Sequence, residues 1–365
     1  MGWFGRKADM VDPRAQFPCF PTMGERDAMP RSYAARVQEV YVNNPVGQRA
    51  VRLVAGAIGA LPIYAIEGKD AAAAAVRRSA LLETIAAQMM LHGNAYVQCV
   101  AGGPEDVVEL FGLRPERVTI ETDARGWPSA YLYRVKNQVT RFAAKNALER
   151  TQVIHIKALN PGDDHLGLGC LDAAIASASV HNRATRWNKA LLDNAARPSG
   201  ALIYAPADGS NLTETQFRRL RSEMDTNFAG GGNAGRPLLL EGGLKWQALS
   251  LTPADMDFVG LKEAAARDVA LAFGVPPVLL GLPGDSTYSN LREAGRGLYR
   301  QTVLPLAQRI VDALAGGLGD WFGPVRLAID IDQVSELAED RERLWKQIGA
   351  ADFITKEEKR GQLYT

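Results

Sequence analysis

The chain has 365 residues, 47% hydrophobic and 23% charged, with a formal net charge of +1. That balance is an ordinary globular one, long enough for a sizeable core and more than one subdomain. It excludes a basic tail or polyanion-binding block. The three cysteines, Cys19, Cys99 and Cys170, are far apart and outside any Cys-x-x-Cys motif, so free thiols in a reducing compartment are expected. No apolar run reaches membrane-spanning length, and the opening MGWFGRKADM lacks the apolar core of a signal peptide. Arg6 stands where a myristoylation pattern needs Ser or Thr. Assembly inside the producing cell, with no membrane partner, is the expectation.

Residues 1–30 carry Pro13, Pro18, Pro21 and Pro30 among scattered aromatics and read as an extended arm. Asn44-Pro45 then predicts a helix start, with Asn44 as N-cap and Pro45 at the first helical position. Val46, Ala50, Leu53, Ala57 and Ala60 follow at helical steps, and Leu61–Ile66 reads as a strand. Lys69, Asp70 and five alanines read as a short connection to a helix over Val76–Leu91, ended by Gly93. Strands are expected at Val97–Val100, Leu110–Val118, Tyr131–Val135 and Val153–Ile156. Together they predict an α/β subdomain over about 31–170.

Leu171–Ala196 reads as a long helix with Leu171, Ile175, Ala178, Ala184, Trp187, Leu191 and Ala195 as its apolar stripe, interrupted at His181-Asn182. Arg183, Arg186 and Lys189 lie elsewhere on its surface. In the insertion 197–252, Gly200–Ala205 reads as a strand and Thr213-Glu214-Thr215-Gln216 as a capping box. Phe217, Leu220, Met224 and Phe228 mark one face of the helix it opens. Leu238–Glu241 and Leu244–Leu251 are expected to pair as a hairpin across Gly242-Gly243.

A second long helix is expected from Thr252 as N-cap and Pro253 at its first position, ending at Gly274 before Pro276 and Pro277. Pro283–Tyr288 is a run of turn-formers. Another helix starts near Ser289 and is kinked by Pro305. Val325–Ile331 reads as a strand, Ser335–Ile348 as a helix, and Thr355-Lys356-Glu357-Glu358 as a second capping box.

Little points to catalysis. Gly230–Gly235 leads through Arg236-Pro237 into a strand, so it lacks the Lys-Ser/Thr and helix of a phosphate loop. Gly167-Leu168-Gly169 lacks a third glycine and reads as a turn. His92, His155, His165 and His181 show no metal-ligand spacing and read as structural. Asp330-Ile331-Asp332 puts two carboxylates on one face of a strand, a divalent-metal pair or, more simply, a solvated strand end.

Several words carry a resemblance. Phe273-Gly274-Val275-Pro276-Pro277, Ser286-Thr287-Tyr288-Ser289-Asn290 and Thr302-Val303-Leu304-Pro305 occur in the order and spacing seen in the portal proteins of tailed bacteriophages. Gly93-Asn94-Ala95-Tyr96, and the opening helix followed by Leu61-Pro62 and a strand, match as well. The short link at residues 69–75 departs from the longer connection usual in that family. The resemblance spans about 41–365 and implies an α+β portal fold of a phage or a phage-like gene transfer agent.

By that resemblance residues 1–30 are an arm, 31–170 a wing, 171–196 and 253–275 stem helices, and 197–252 a small α/β clip. Residues 276–289 are a tunnel loop region, 290–328 a kinked long helix with a wing return, and 329–365 a helical crown. The implied protein is a subunit of a cyclic homo-oligomer, a dodecamer, assembled in the host cytoplasm and resident at the capsid portal vertex of the virion. It is not an enzyme and uses no cofactor. Its implied partners are double-stranded DNA without sequence preference, the large terminase, a head-tail adaptor and the major capsid protein.

Asp285, Ser286, Thr287 and Tyr288 are then the candidate channel loop, and Arg183, Arg186, Lys189, Lys262 and Arg267 the candidate basic stem residues. Arg218, Arg219, Arg221 and Arg236 are the candidate clip surface for partners. For any single one of the stem cations a solvated helix face is the simpler reading. Two alternatives stand beside the portal: a metal-dependent nuclease using Asp330 and Asp332, and a capsid adaptor without a DNA channel.

Overall fold

A computed structural model describes residues 32–68, 70–101, 108–193, 200–204, 213–228, 244–248, 257–284, 287–350 and 355. The arm 1–30, Arg236, Leu238–Glu241, Thr252-Pro253, Asp285-Ser286 and Lys356-Glu357-Glu358 therefore lie outside the described residues.

Helix α1 (Tyr33–Val37) runs into a π-helical turn, Gln38–Val42, and then into α2 (Pro45–Gly59). Asn44 caps α2 as expected: its Oδ1 accepts from the backbone N–H groups of Val46 and Gly47, both at 3.0 Å. The buried face of α2 is rotated from the one predicted. Val46, Ala50, Val51, Val54, Ala55 and Ile58 are buried, whereas Ala60 is exposed. The helix has apolar residues on most of its circumference, so only the neighbours decide which face turns inward.

Strand β1 (Ile63–Glu67) is followed by α3 (Asp70–Val76) and α4 (Ser79–His92). The alanine run is thus helical, not a connection, as alanine's propensity favours. The break falls at Arg77-Arg78, and Ala72, Ala73, Ala75 and Val76 are buried. Strands β2 (Asn94–Ala101) and β3 (Val108–Leu113) come next, then β4 (Val118–Thr122), β5 (Pro128–Val135), β6 (Gln138–Ala143) and β7 (Val153–Lys157). The expected strand 110–118 is split because Pro115, which has no N–H for a ladder, opens a 3-10 turn. Strand β6, absent from the sequence expectations, is exposed along most of its length and carries no apolar alternation.

The sheets are antiparallel: β2 lies between β3 and β7, and β5 between β4 and β6. Tyr96, Leu113, Tyr131 and Val153 form a small core between these two sheets.

The long helix α5 (Leu171–Asp193) follows. Strand β8 (Gly200–Tyr204), α6 (Glu214–Phe228) and β9 (Leu244–Ala248) come from the insertion. Within the described residues β9 pairs antiparallel with β8, Leu202 opposite Trp246. The Thr213 box forms as predicted, with Gln216 N–H donating to Thr213 Oγ1 (3.3 Å) and Gln216 Oε1 accepting from Thr213 N–H (2.9 Å).

Helix α7 (Phe258–Ala272) begins later than predicted, capped by Asp257, whose carboxylate accepts from Gly260 N–H. It packs along α5. A 3-10 turn (Pro277–Leu280) leads to α8 (Tyr288–Leu298), which starts one residue before the expected Ser289 because Thr287 caps it. A second π-helical turn (Tyr299–Val303) joins α8 to α9 (Leu304–Phe322). The turn bears on the predicted kink. Pro305 has no N–H to give four residues back, and the widened turn just before it accommodates that loss.

Strand β10 (Arg326–Ile329), shorter than expected, pairs antiparallel with β1, Ile63 opposite Ile329, and so returns the chain to its beginning. The predicted helix 335–348 is a 3-10 turn (Ser335–Leu337) followed by α10 (Ala338–Ala350). One main core gathers α2, α3, α4, α5, α7, α9, β1, β2, β3, β7 and β10.

Candidate functional site

The two words flanking the candidate loop pack on each other. Gly274 has φ +64°, and a Cβ there would meet Thr302 Oγ1 at 2.9 Å. Thr302 Oγ1 donates to the Gly274 carbonyl at 2.6 Å, while Phe273, Val275 and Val303 are buried beside them. This joint closes the root of the excursion that carries the 3-10 turn, the loop and α8. Arg267 Nη2 donates to the Pro283 carbonyl at 2.7 Å, holding the near end of the loop against α7. Thr287 Oγ1 accepts from Asn290 N–H at 3.2 Å, and Tyr288 projects with 76% exposure, the Arg292 guanidinium 5.6 Å from its ring centroid.

The candidate stem cations are not one surface with one role. Arg183 and Lys189 are exposed on α5. Arg186, farther along the same helix, lies 3.7 Å from Glu39 Oε1. Lys262 is half-buried on α7 and its charge reaches His181. Arg267 is engaged by the loop. In the insertion Arg218 pairs with Glu214 at 3.0 Å, one helical turn away, and Arg219 and Arg221 are exposed.

The apparent interruption of the α5 stripe is a polar pin. His181 and Asn182 are buried. Asn44 Nδ2 donates to Asn182 Oδ1 at 3.0 Å, and Asn182 Nδ2 donates to the Glu39 carbonyl at 2.8 Å and to Glu39 Oε1 at 3.0 Å. The N-terminus of α2 and the π-turn before it are thereby fixed to the middle of α5. Burial lowers the His181 pKa, and the Lys262 charge lowers it further. Beyond this pin Trp187 stacks on Phe258 across α5 and α7, with centroids 6.1 Å apart.

A second polar knot explains Gly93-Asn94-Ala95-Tyr96. Gly93 ends α4 with φ +79°. The irregular segment 167–169 lies so close that a Cβ on Gly167 would fall on the Gly93 carbonyl. Asn94 Oδ1 accepts from Gly167 N–H (2.7 Å) and from His155 Nε2 (3.0 Å), while its Nδ2 donates to the Gly167 carbonyl (2.9 Å). Gly167-Leu168-Gly169 is therefore a docking strip for this motif rather than a plain turn. His155 stacks on Tyr96 with centroids 4.3 Å apart. Burial, and secondarily the Lys157 charge, push its pKa down to about 4. Burial also pushes the Cys99 thiol up to about 12, leaving it without thiolate character.

Asp330 and Asp332 do not share a strand face. Asp330 caps a short 3-10 turn (Ile331–Gln333), its Oδ1 accepting from Asp332 N–H at 3.2 Å, and Asp332 is paired with Arg341. Strand β10 has already ended at Ile329, so the carboxylates follow turn geometry. They border a cleft of about 600 Å³ with Tyr64, Arg300, Pro305 and Arg341. Among the described residues no group of three or more His, Cys, Asp or Glu side chains is placed to hold a metal ion. Among those residues no helix is long and apolar enough to cross a membrane.

The phage portal protein family model matches residues 45–363. The chain is similar to one in the virion of a native gene transfer agent particle and to one in the neck of the native particle determined with twelvefold symmetry. Identity is 44% in each, covering 92% of this chain and 93% of that one, with TM-scores of 0.71 and 0.69. It is also 26% identical over 232 residues to the portal protein of Enterobacteria phage HK97, which covers 62% of this chain and 51% of that protein. The chain belongs to the phage portal protein family.

Proposed function

We propose that the chain is the subunit of a ring at one capsid vertex of a phage-like particle, through which DNA is packaged, retained and ejected. The observation that carries this reading is the 44% identity, over 92% of the chain, to a chain in a twelvefold particle neck. A cyclic ring is a closed heterologous interface, so each residue of one subunit becomes a collar of identical residues.

Residues 31–170 form the wing, 171–196 and 253–275 the stem, 197–252 the clip and 329–365 the crown. The clip, with Arg218, Arg219, Arg221 and Arg236, meets the large terminase and later a head-tail adaptor, and the wing meets the major capsid protein. The loop 281–288 faces the lumen, where Thr287 and Tyr288 touch the duplex backbone without reading bases. A near-neutral chain suits that task. A strongly basic channel would hold phosphates and brake the moving duplex.

Negative-stain imaging with native mass of the purified protein tests the reading. Closed rings with a hole of duplex width are the expected result. A compact dimer that cuts DNA with magnesium, and loses the activity in Asp330→Asn, would overturn it in favour of a nuclease.

A further inference from the structure

Helix α8 is attached to the molecule in an unusual way. Residues 288–293 are exposed, and of its side chains only Leu298, at the far end, is buried. It also packs on the 3-10 turns Pro277–Leu280 and Ser335–Leu337, and an electrostatic attachment runs to α10. Arg292 Nη2 donates to Glu339 Oε2 at 2.8 Å, and Arg296, only 12% exposed, pairs with the same carboxylate. Arg300, in the π-turn, pairs with Asp340. Burial, and secondarily the nearby Glu336 carboxylate, raise the Tyr299 pKa. Residues 292, 296 and 300 are spaced to fall on one helix face. The space between α8 and residues 335–339 is not closed by apolar packing: it measures about 340 Å³ and is lined by Tyr288, Arg292, Arg296 and Glu339 among others.

Beyond the π-turn the attachment changes character. Helix α9 buries Ala307, Ile310, Val311, Leu314, Ala315 and Leu318 in the main core. The π-turn, where backbone bonding departs from the α pattern, is thus the boundary between a fixed helix and a charge-held one. On the other side of the loop, Arg267 fixes Pro283 to α7. Pro283 is therefore tied to α7, and Thr287, through α8, to α10.

We propose that Glu339 and Asp340 of α10 form a latch on Arg292, Arg296 and Arg300, with the π-turn as its hinge, so that α10 sets the position of α8 and of its cap Thr287, where the loop enters the helix. The latch deepens the channel reading, on which it rests only for what the loop touches. A movement at Thr287 would be transmitted to α10, and displacement of α10 would free α8. No proton transfer is involved. The device responds to ionic strength, because all its pairs are at least partly open to solvent.

Hydrogen–deuterium exchange on the purified full chain tests the latch without DNA or a particle, so its outcome is independent of the ring. Glu339→Gln is expected to raise exchange about fivefold in both 288–300 and 338–348, leaving α2, α4 and α9 unchanged. Added salt at about 0.5 M should do the same in the unaltered protein and add little in the variant. Loosening of α10 with α8 unchanged would overturn the proposal. If Glu339→Gln loosens the whole protein, the one-to-one pair decides. Arg300→Asp should open 288–300, and adding Asp340→Arg should restore it; no restoration overturns the latch.

Discussion

Asn94 joins α4, β7 and the segment 167–169 through its side-chain hydrogen bonds. Asn94→Ala leaves Gly167 N–H and the His155 ring without their partner in a buried place. A loss of about 3 kcal/mol of stability is expected, read as a lowered denaturation midpoint at unchanged slope. His155 makes the same knot pH-dependent. Its folded pKa of about 4 lies below the ordinary value of 6.5, so the unfolded chain binds its proton first. Stability is complete above about pH 6.5 and falls as pH drops towards 4, by up to about 3 kcal/mol. His92 and His181, also lowered chiefly by burial, act in the same direction. Thermal melts between pH 7.5 and 4.5 should show the decline, and His155→Gln should flatten it. Decline unaltered by that substitution would remove His155 as its cause.

At the scale of elements, helix ends are written in local chemistry and helix faces are not. Asn44, Thr213 and Thr287 cap because a short polar side chain reaches the orphan N–H groups of the next turn. Asn44→Ala should cost about 2 kcal/mol, more than a simple cap, because it also strips Asn182 of a donor in the buried pin. Thr213→Ala, at an exposed cap, should cost about 1 kcal/mol and act on α6 alone, visible as faster exchange in 214–222. His181-Asn182 looked like a gap in an apolar stripe. It is the place where α5 is bolted to α2 and the π-turn, and the signal available in the sequence was Asn44, a cap with donors to spare. Pro305 announced a distortion, but the form it takes, a π-turn at the end of a charge-held helix, depends on where the surrounding core begins.

For the whole molecule, the proposed ring multiplies small charges. Tyr288→Lys, at an exposed position outside the core, would add one positive collar without disturbing folding. Particles carrying it should assemble normally and release DNA more slowly, with a salt dependence steeper by about one unit per phosphate newly contacted. Unchanged release kinetics would place Tyr288 away from the duplex. The near-neutral total charge supports the same picture, since a conduit needs many weak contacts rather than a few strong ones.

Legible from the residues alone were the family words, the capped helix starts at Asn44 and Thr213, the long helix from Leu171, and the joint around Gly274 and Pro276-Pro277. Each depends on residues near in sequence, where caps, prolines and left-handed glycines act over a few bonds. Tertiary structure alone decided why the words travel together. Thr302 bonds Gly274, and Gly167 closes on Gly93, contacts between residues 28 and 74 positions apart. It also decided the faces and partners: which side of an alanine-rich α2 turns inward, and that Arg267 holds a loop carbonyl. Arg292, Arg296 and Arg300 likewise meet the acids of α10 only once the chain has folded back. A cation looks the same in sequence whether it faces phosphate, carboxylate or water, because the energy that distinguishes them comes from groups the chain brings close only on folding.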